Sequence, residues 1–192
     1  MIYLDTNILV SLRIGDGNTG SAEEWYEQQS VPLAISSWGV AEFYGHLGLR
    51  CRKGEVTARD AAKIVDQFDE AVAANLTLLK SSDAAVVRAA SWLRAPNCAL
   101  QAVDALHLAI ALENEAAAIA TFDVRFAQGI GKLRIAGLKV IALPTEGTSL
   151  HRTRQNSARY NVSERDVAKA AAAARKRKTA ERKNAPRLTV RG

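Results

Sequence analysis

Four acidic residues stand where an open α/β sheet would present them to a ligand. Asp5 closes the apolar run Ile2–Asp5, just ahead of Thr6 and Asn7. Glu42 lies about one and a half turns into the helical pattern that follows the run Leu33–Ser36. Asp104 sits near the start of the helical stretch Ala102–Asn114, and Asp123 comes two residues after Thr121, the end of the run Ala118–Thr121. In a parallel sheet the strand C-terminal ends face a crevice where ligands bind, so these residues, far apart in sequence, are expected near one edge. Carboxylates gathered without compensation repel one another and cost stability, and no matching set of Lys or Arg accompanies all four. A divalent hard cation is the natural compensator: Mg²⁺ prefers oxygen ligands, keeps several waters and is often held through one or two carboxylates. Such an ion would lower the pKa of water and steady the charge on a phosphoryl group. That chemistry needs no cysteine, histidine or serine nucleophile.

Plainer readings stand beside each acid. Asp5 could cap a following helix, and Asp123 could cap a helix carrying Arg125 and Phe126. Glu42 lies among Trp38, Val40, Ala41, Phe43 and Tyr44, and Asp104 among Val103, Leu106, Leu108, Ala109 and Ile110. Carboxylates in such apolar stretches are expected to have a partner or a cation. A fold using an aspartate nucleophile after its first strand would want a second Asp two positions on, where this chain has Asn7. A receiver fold would want a phosphoacceptor at the third strand, which here ends Leu78-Leu79-Lys80. His107, beside Leu106 and Leu108, reads as a packed core residue rather than an acid or base. Cys51 and Cys98 read as thiols of a reducing compartment, too few for a disulfide framework and without metal-finger spacing.

The elements that must position these residues follow from hydrophobic pattern. Short apolar runs at Ile2–Asp5, Leu33–Ser36, Leu76–Leu79, Ala118–Thr121 and Lys139–Leu143 read as strands. Helical patterns separate them at Ser21–Gln29, Ser37–Arg52, Thr57–Ala74, Asp83–Arg94 and Ala102–Asn114, the third opening on Thr57-Ala58-Arg59-Asp60 in the manner of a capping box. Strands alternating with helices predict an α/β domain with a central parallel sheet between helical layers. The chain has 192 residues, enough for one such domain and an appendage. The expected division is a domain over 1–143, a linker over 144–162 opened by Pro144, and a basic tail over 163–192, helical or disordered. Residues 1–148 hold 13 Lys/Arg against 17 Asp/Glu, a net of −4, whereas residues 149–192 hold 13 against 3, a net of +10. A basic arm on an acidic body points to nucleic acid or another polyanion, with Arg175, Lys176, Arg177 and Lys178 as its densest cluster. An autoinhibitory arm and an inert extension are the other readings. No run reaches membrane-spanning length, and the first residues read as strand rather than leader, so the protein is expected in the cytoplasm with no membrane partner.

Taken together, Tyr3-Leu4-Asp5-Thr6-Asn7, Glu42 in Ser37-Trp38-Gly39-Val40-Ala41-Glu42, Asp104-Ala105-Leu106-His107-Leu108-Ala109 and Thr121-Phe122-Asp123-Val124-Arg125-Phe126 resemble the acidic motifs of PIN-domain ribonucleases, and among them the VapC toxins of bacterial toxin–antitoxin pairs. The resemblance covers roughly residues 1–143, with four motifs in the family's order, and leaves out the tail. It implies a three-layer PIN-like fold and Mg²⁺- or Mn²⁺-dependent endonucleolytic cleavage of RNA by an activated water. It also implies a homodimer and restraint by a cognate antitoxin protein. By motif position Asp5, Glu42, Asp104 and Asp123 would be the catalytic, metal-binding acids. Asn7 and Thr121 would be supporting groups that hydrogen-bond the acids or a water on the metal. The alternative from another class is a non-catalytic RNA-binding scaffold with a basic arm.

Overall fold

The computed structural model describes residues 1–145; the basic cluster Arg175–Lys178 and most of the expected linker and tail lie outside the described residues. Five parallel strands, β1 (Ile2–Leu4), β2 (Leu33–Ser36), β3 (Leu76–Leu79), β4 (Ala118–Thr121) and β5 (Lys139–Ala142), form one sheet in the order β3-β2-β1-β4-β5. The three central strands are buried along their whole length, as parallel strands covered on both faces must be. The edge strands β3 and β5 keep exposed positions.

Alternation along β1 shows how the layers divide. Tyr3 packs to one side, with Ala105 and Leu108 of α6 (Ala102–Glu113), Ala85 and Ala89 of α5 (Asp83–Leu93) and Phe126 of α7 (Val124–Leu133). Ile2 and Leu4 pack to the other side. There they meet Ile8 and Leu9 of α1 (Thr6–Arg13), Ala22 of α2 (Thr19–Glu27), Phe43 of α3 (Ser37–Arg52) and Phe68 of α4 (Ala58–Asn75). The result is the expected helix–sheet–helix sandwich. Thr57 caps α4 by accepting from the Asp60 amide, as the local sequence predicts. Among the described residues no helix is long and apolar enough to cross a membrane.

Two elements differ from the pattern-based expectation. Helix α1 starts directly after Asp5, although the sequence shows no helix before Ser21. Its buried Ile8-Leu9-Val10 run continues the apolar character of β1, so no change of period marks the turn from strand to helix. Helix α7, foreseen only as something Asp123 could cap, carries two glycines that weaken its intrinsic signal. Strand order reverses between β1 and β4, which puts the crevice of this sheet at their C-terminal ends.

Candidate active site

The β1 and β4 ends are tied together through side chains. Asp5 is the first residue after β1 and is 8% exposed. Its Oδ2 accepts from Thr121 Oγ1 at 2.5 Å and from Asn7 Nδ2 at 2.6 Å. Asn7 Nδ2 also reaches Thr121 Oγ1 at 3.0 Å, and Asn7 Oδ1 accepts from the Phe122 amide at 3.2 Å. Thr121 Oγ1 in turn accepts from the Asp123 amide at 2.8 Å. Asn7 and Thr121 therefore both hydrogen-bond Asp5 directly.

Glu42 arrives on α3, whose first turn is capped by Ser36 Oγ accepting from the Gly39 amide. A Cβ at Gly39 would stand 2.9 Å from Ile35 Cγ1 and 3.2 Å from Thr6 Oγ1. The bare glycine lets α3 lie against the start of α1, where Thr6 Oγ1 donates to Glu42 Oε2 at 2.8 Å. The same oxygen meets His107 Nε2 at 2.5 Å. His107 Nε2 is 4.0 Å from Asp5 Oδ1, and its Nδ1 is 2.7 Å from the Tyr3 hydroxyl, which lies 2.8 Å from Ser36 Oγ.

Asp104 and Asp123 both hold helix N-termini. Asp104 Oδ2 accepts from the Gln101 amide at 3.3 Å within a capping box on α6. Asp123 Oδ1 accepts from the Arg125 and Phe126 amides at 2.7 and 3.1 Å, so its plainer capping role is real. Capping occupies one oxygen of each and leaves the other. Among the described residues Asp104 Oδ1, Asp123 Oδ2 and Glu42 Oε1 make no hydrogen bond, and Asp5 Oδ1 has only the distant approach of His107.

The electrostatics record the crowding. Burial foremost, then the charge of Glu42, raises the Asp5 carboxyl above its usual range against the opposing pull of His107, Thr121 and Asn7. Asp104 is raised by burial first, then by Asp123 and Asp5. Burial acts on Glu42 too, but His107, Thr6 and His46 outweigh it and hold the carboxyl low. Burial opposes protonation of His107, and Glu42, Asp5 and Asp104 override it, leaving the imidazole raised. The four acids thus act on one another, directly or in sequence. No three Asp, Glu, His or Cys side chains among the described residues are gathered closely enough to hold a metal by themselves. The spare oxygens and the raised acids nevertheless suit a hard cation that keeps much of its water.

His107 is buried, as the sequence reading expects of a core residue, at 1% exposed, and both of its ring nitrogens are also engaged by polar partners. Its position three residues after Asp104, on the same helix face, was the available signal. Tyr3, Thr6 and Ser36 gave none beyond their nearness to strand ends. Beyond Glu42, Gly45, His46, Leu49 and Arg52 line an open cavity of about 260 Å³ along α3.

The sequence profile of the PIN domain matches residues 2–130. The chain belongs to the PIN-domain family. Solved structures sharing the fold include VapC20 of Mycobacterium tuberculosis, a sarcin-ricin-loop-cleaving toxin. It has a TM-score of 0.53 and 18% identity, with 67% of this chain and 94% of that one covered. FitAcB from Neisseria gonorrhoeae has a TM-score of 0.57 and 16% identity over 73% of this chain and 96% of its own. FitAB bound to an IR36 DNA fragment gives 0.50 and 20% identity over 74% and 94%. At these identities the likeness is one of fold. No curated protein matches the sequence.

The metal-free PIN domain should show the Glu42–His107 pair in its pH-stability curve. A raised histidine stabilises fully below its unfolded value of 6.5, and the contribution is lost as pH rises through the folded value. A lowered glutamate stabilises above its unfolded value of 4.5, and loses that contribution as pH falls through the folded value. Both contributions are therefore present between 4.5 and 6.5. The raised Asp5 and Asp104 also favour lower pH. Melting in the presence of a chelator should give a midpoint that declines from pH 6 towards 9, and Glu42→Gln should flatten the decline. Parallel curves for the two proteins would show the pair to be uncoupled from stability.

Proposed function

We propose that this PIN domain is a divalent-metal-dependent endoribonuclease and serves as the toxin of a toxin–antitoxin pair in the cytoplasm. The observation that carries the reading is the set of four acids near the β1/β4 switch point, each using one oxygen structurally and leaving the other without a hydrogen bond among the described residues. Asp5, Glu42, Asp104 and Asp123 would hold Mg²⁺ or Mn²⁺. The ion would supply activation of water and charge compensation for a phosphoryl group. Asn7 and Thr121 orient Asp5, and Thr6 orients Glu42. The open cavity beside Glu42, with Arg52 on its wall, offers a cationic contact to a phosphodiester strand. The fold shared with a sarcin-ricin-loop-cleaving toxin supports RNA as substrate. A cognate antitoxin and a homodimer follow from the VapC resemblance.

The test is purified full-length protein on a panel of structured RNAs, with Mg²⁺, Mn²⁺ or chelator. Defined fragments that need metal and vanish in Asp104→Asn are expected. Tight binding without cleavage under every metal condition would instead identify an RNA-binding scaffold, an outcome the acids argue against because negative charge near phosphates weakens binding. The same assay addresses the basic arm. If it makes about four phosphate contacts, truncation to residues 1–148 should flatten the logarithmic salt dependence by about 3 units, at roughly 0.7 per contact, with turnover at saturating RNA preserved. Higher turnover after truncation would mark the arm as an inhibitor. No change in affinity, slope or turnover would mark it as inert.

A further inference from the structure

His107 lies outside the four acids, and the reading above gives it no task. Yet it is buried, and both of its ring nitrogens are engaged. Its ring joins α6 of one helical layer to α3 of the other, and each nitrogen has a separate partner. The Tyr3 hydroxyl sits 2.7 Å from Nδ1 and is itself fixed 2.8 Å from Ser36 Oγ, which takes the Gly39 amide proton. The Tyr3 phenol is both donor and acceptor, so it can donate to a neutral ring or accept from a charged one. The Nε2 side admits one arrangement: an ionised carboxylate only accepts hydrogen bonds, so Nε2 carries the proton in either charge state of the ring. Glu42 Oε2 is thereby held between His107 and Thr6, at 2.5 and 2.8 Å.

We propose that His107 is a positioning residue for the metal site, clamped by Tyr3 at one nitrogen and holding Glu42 by the other, so that Oε1 is the oxygen left for a cation. The inference rests on the metal-dependent reading above. A long glutamate side chain free to swing would lose rotamer freedom each time an ion bound; the clamp removes that loss in advance. Partners that hold a ligating carboxylate in this way typically contribute 10–100-fold to metal affinity. A histidine acting as a mere packing strut would contribute to melting temperature and nothing to the ion.

Mn²⁺ affinity of the full-length protein, read by electron paramagnetic resonance of the unbound ion, separates these roles without reference to cleavage. His107→Leu is expected to weaken Mn²⁺ binding by roughly 10–100-fold. Tyr3→Phe, which keeps the ring and loses the anchor, should weaken it by a smaller factor. His107→Gln, whose amide can still donate to Glu42, should recover part of the loss. Circular dichroism establishes that each variant is folded. Wild-type Mn²⁺ affinity in a folded His107→Leu protein would overturn the inference. If that variant does not fold, Tyr3→Phe decides, and undiminished affinity there overturns it equally. Absence of Mn²⁺ binding by the wild type would remove the metal-dependent reading and this inference with it, whereas a wild type and variants that bind alike reject the clamp alone.

Discussion

Asp104→Asn is expected to abolish RNA cleavage while the protein stays folded with an equal or higher melting midpoint. The two halves of that result have separate causes. Asparagine keeps an oxygen for the Gln101 amide, so the N-terminal cap of α6 survives. What is lost is a negative charge that burial, Asp123 and Asp5 all disfavour in the metal-free protein, and its removal relieves repulsion. The charge is also what a cation needs. Cleavage rates at saturating RNA and melting curves in chelator, taken on the same preparation, test both halves. Full metal-dependent activity in the variant would remove Asp104 from the site. A fall of several degrees in the midpoint would show that the carboxylate is stabilising where repulsion predicts the opposite.

Phe68→Ala should be the most destabilising single truncation of the α3–α4 contact, at about 3–5 kcal/mol. Phe43 and Phe68 are both fully buried, with ring centroids 3.7 Å apart and planes 7° from parallel, and Tyr44 meets each ring edge-on. Replacing one ring leaves a cavity faced by the other, and little else nearby can fill it. A domain of ordinary stability has about 5–15 kcal/mol in hand, so the variant should melt about 10 °C lower or more. Because Phe43 follows Glu42 directly on α3, activity should fall further with temperature than the folded fraction does. Urea titration with an unchanged slope and a lowered midpoint is the expected signature. A loss below about 1 kcal/mol would mean that the ring pair is easily replaced by collapse of its surroundings.

The sheet was legible because its strands are short, β-rich and bounded by polar residues; Leu33–Ser36, Leu76–Leu79 and Ala118–Thr121 have the ends their pattern predicts. Helices with clear caps, such as α4 behind Thr57 and α5 behind Ser82, were equally readable. The start of α1 was not, since an apolar run can serve a buried strand or a buried helix and periodicity cannot arbitrate over three residues. At the site, charge made the acids visible: a carboxylate in an apolar stretch demands an explanation. Histidine makes no such demand, because a neutral imidazole packs tolerably among leucines. His107 acquires its meaning from Tyr3, more than a hundred residues away, and a contact at that separation leaves no trace in local pattern. Thr6 and Ser36 were hidden for a related reason. Hydroxyls near helix starts are common caps, and Ser36 is one, so nothing local marks the second bond it makes.

The central place of β1 bears on when, during synthesis, the protein becomes competent. The strand that carries Asp5 is translated first, but its neighbour β4 supplies Thr121, 116 residues later. At about 5–20 residues per second, Asp5 waits on the order of ten seconds for the hydroxyl that orients it and for Asp123. Through that interval β1, β2 and β3 can pair, yet the crevice has one wall. On the proposed nuclease reading, the RNA of the translating ribosome is shielded from the new chain, since the acidic crevice is incomplete until β4 has cleared the exit tunnel. On the same reading, a message broken before the codon for Thr121 would yield a chain without Thr121 and Asp123, and so without half of the proposed site.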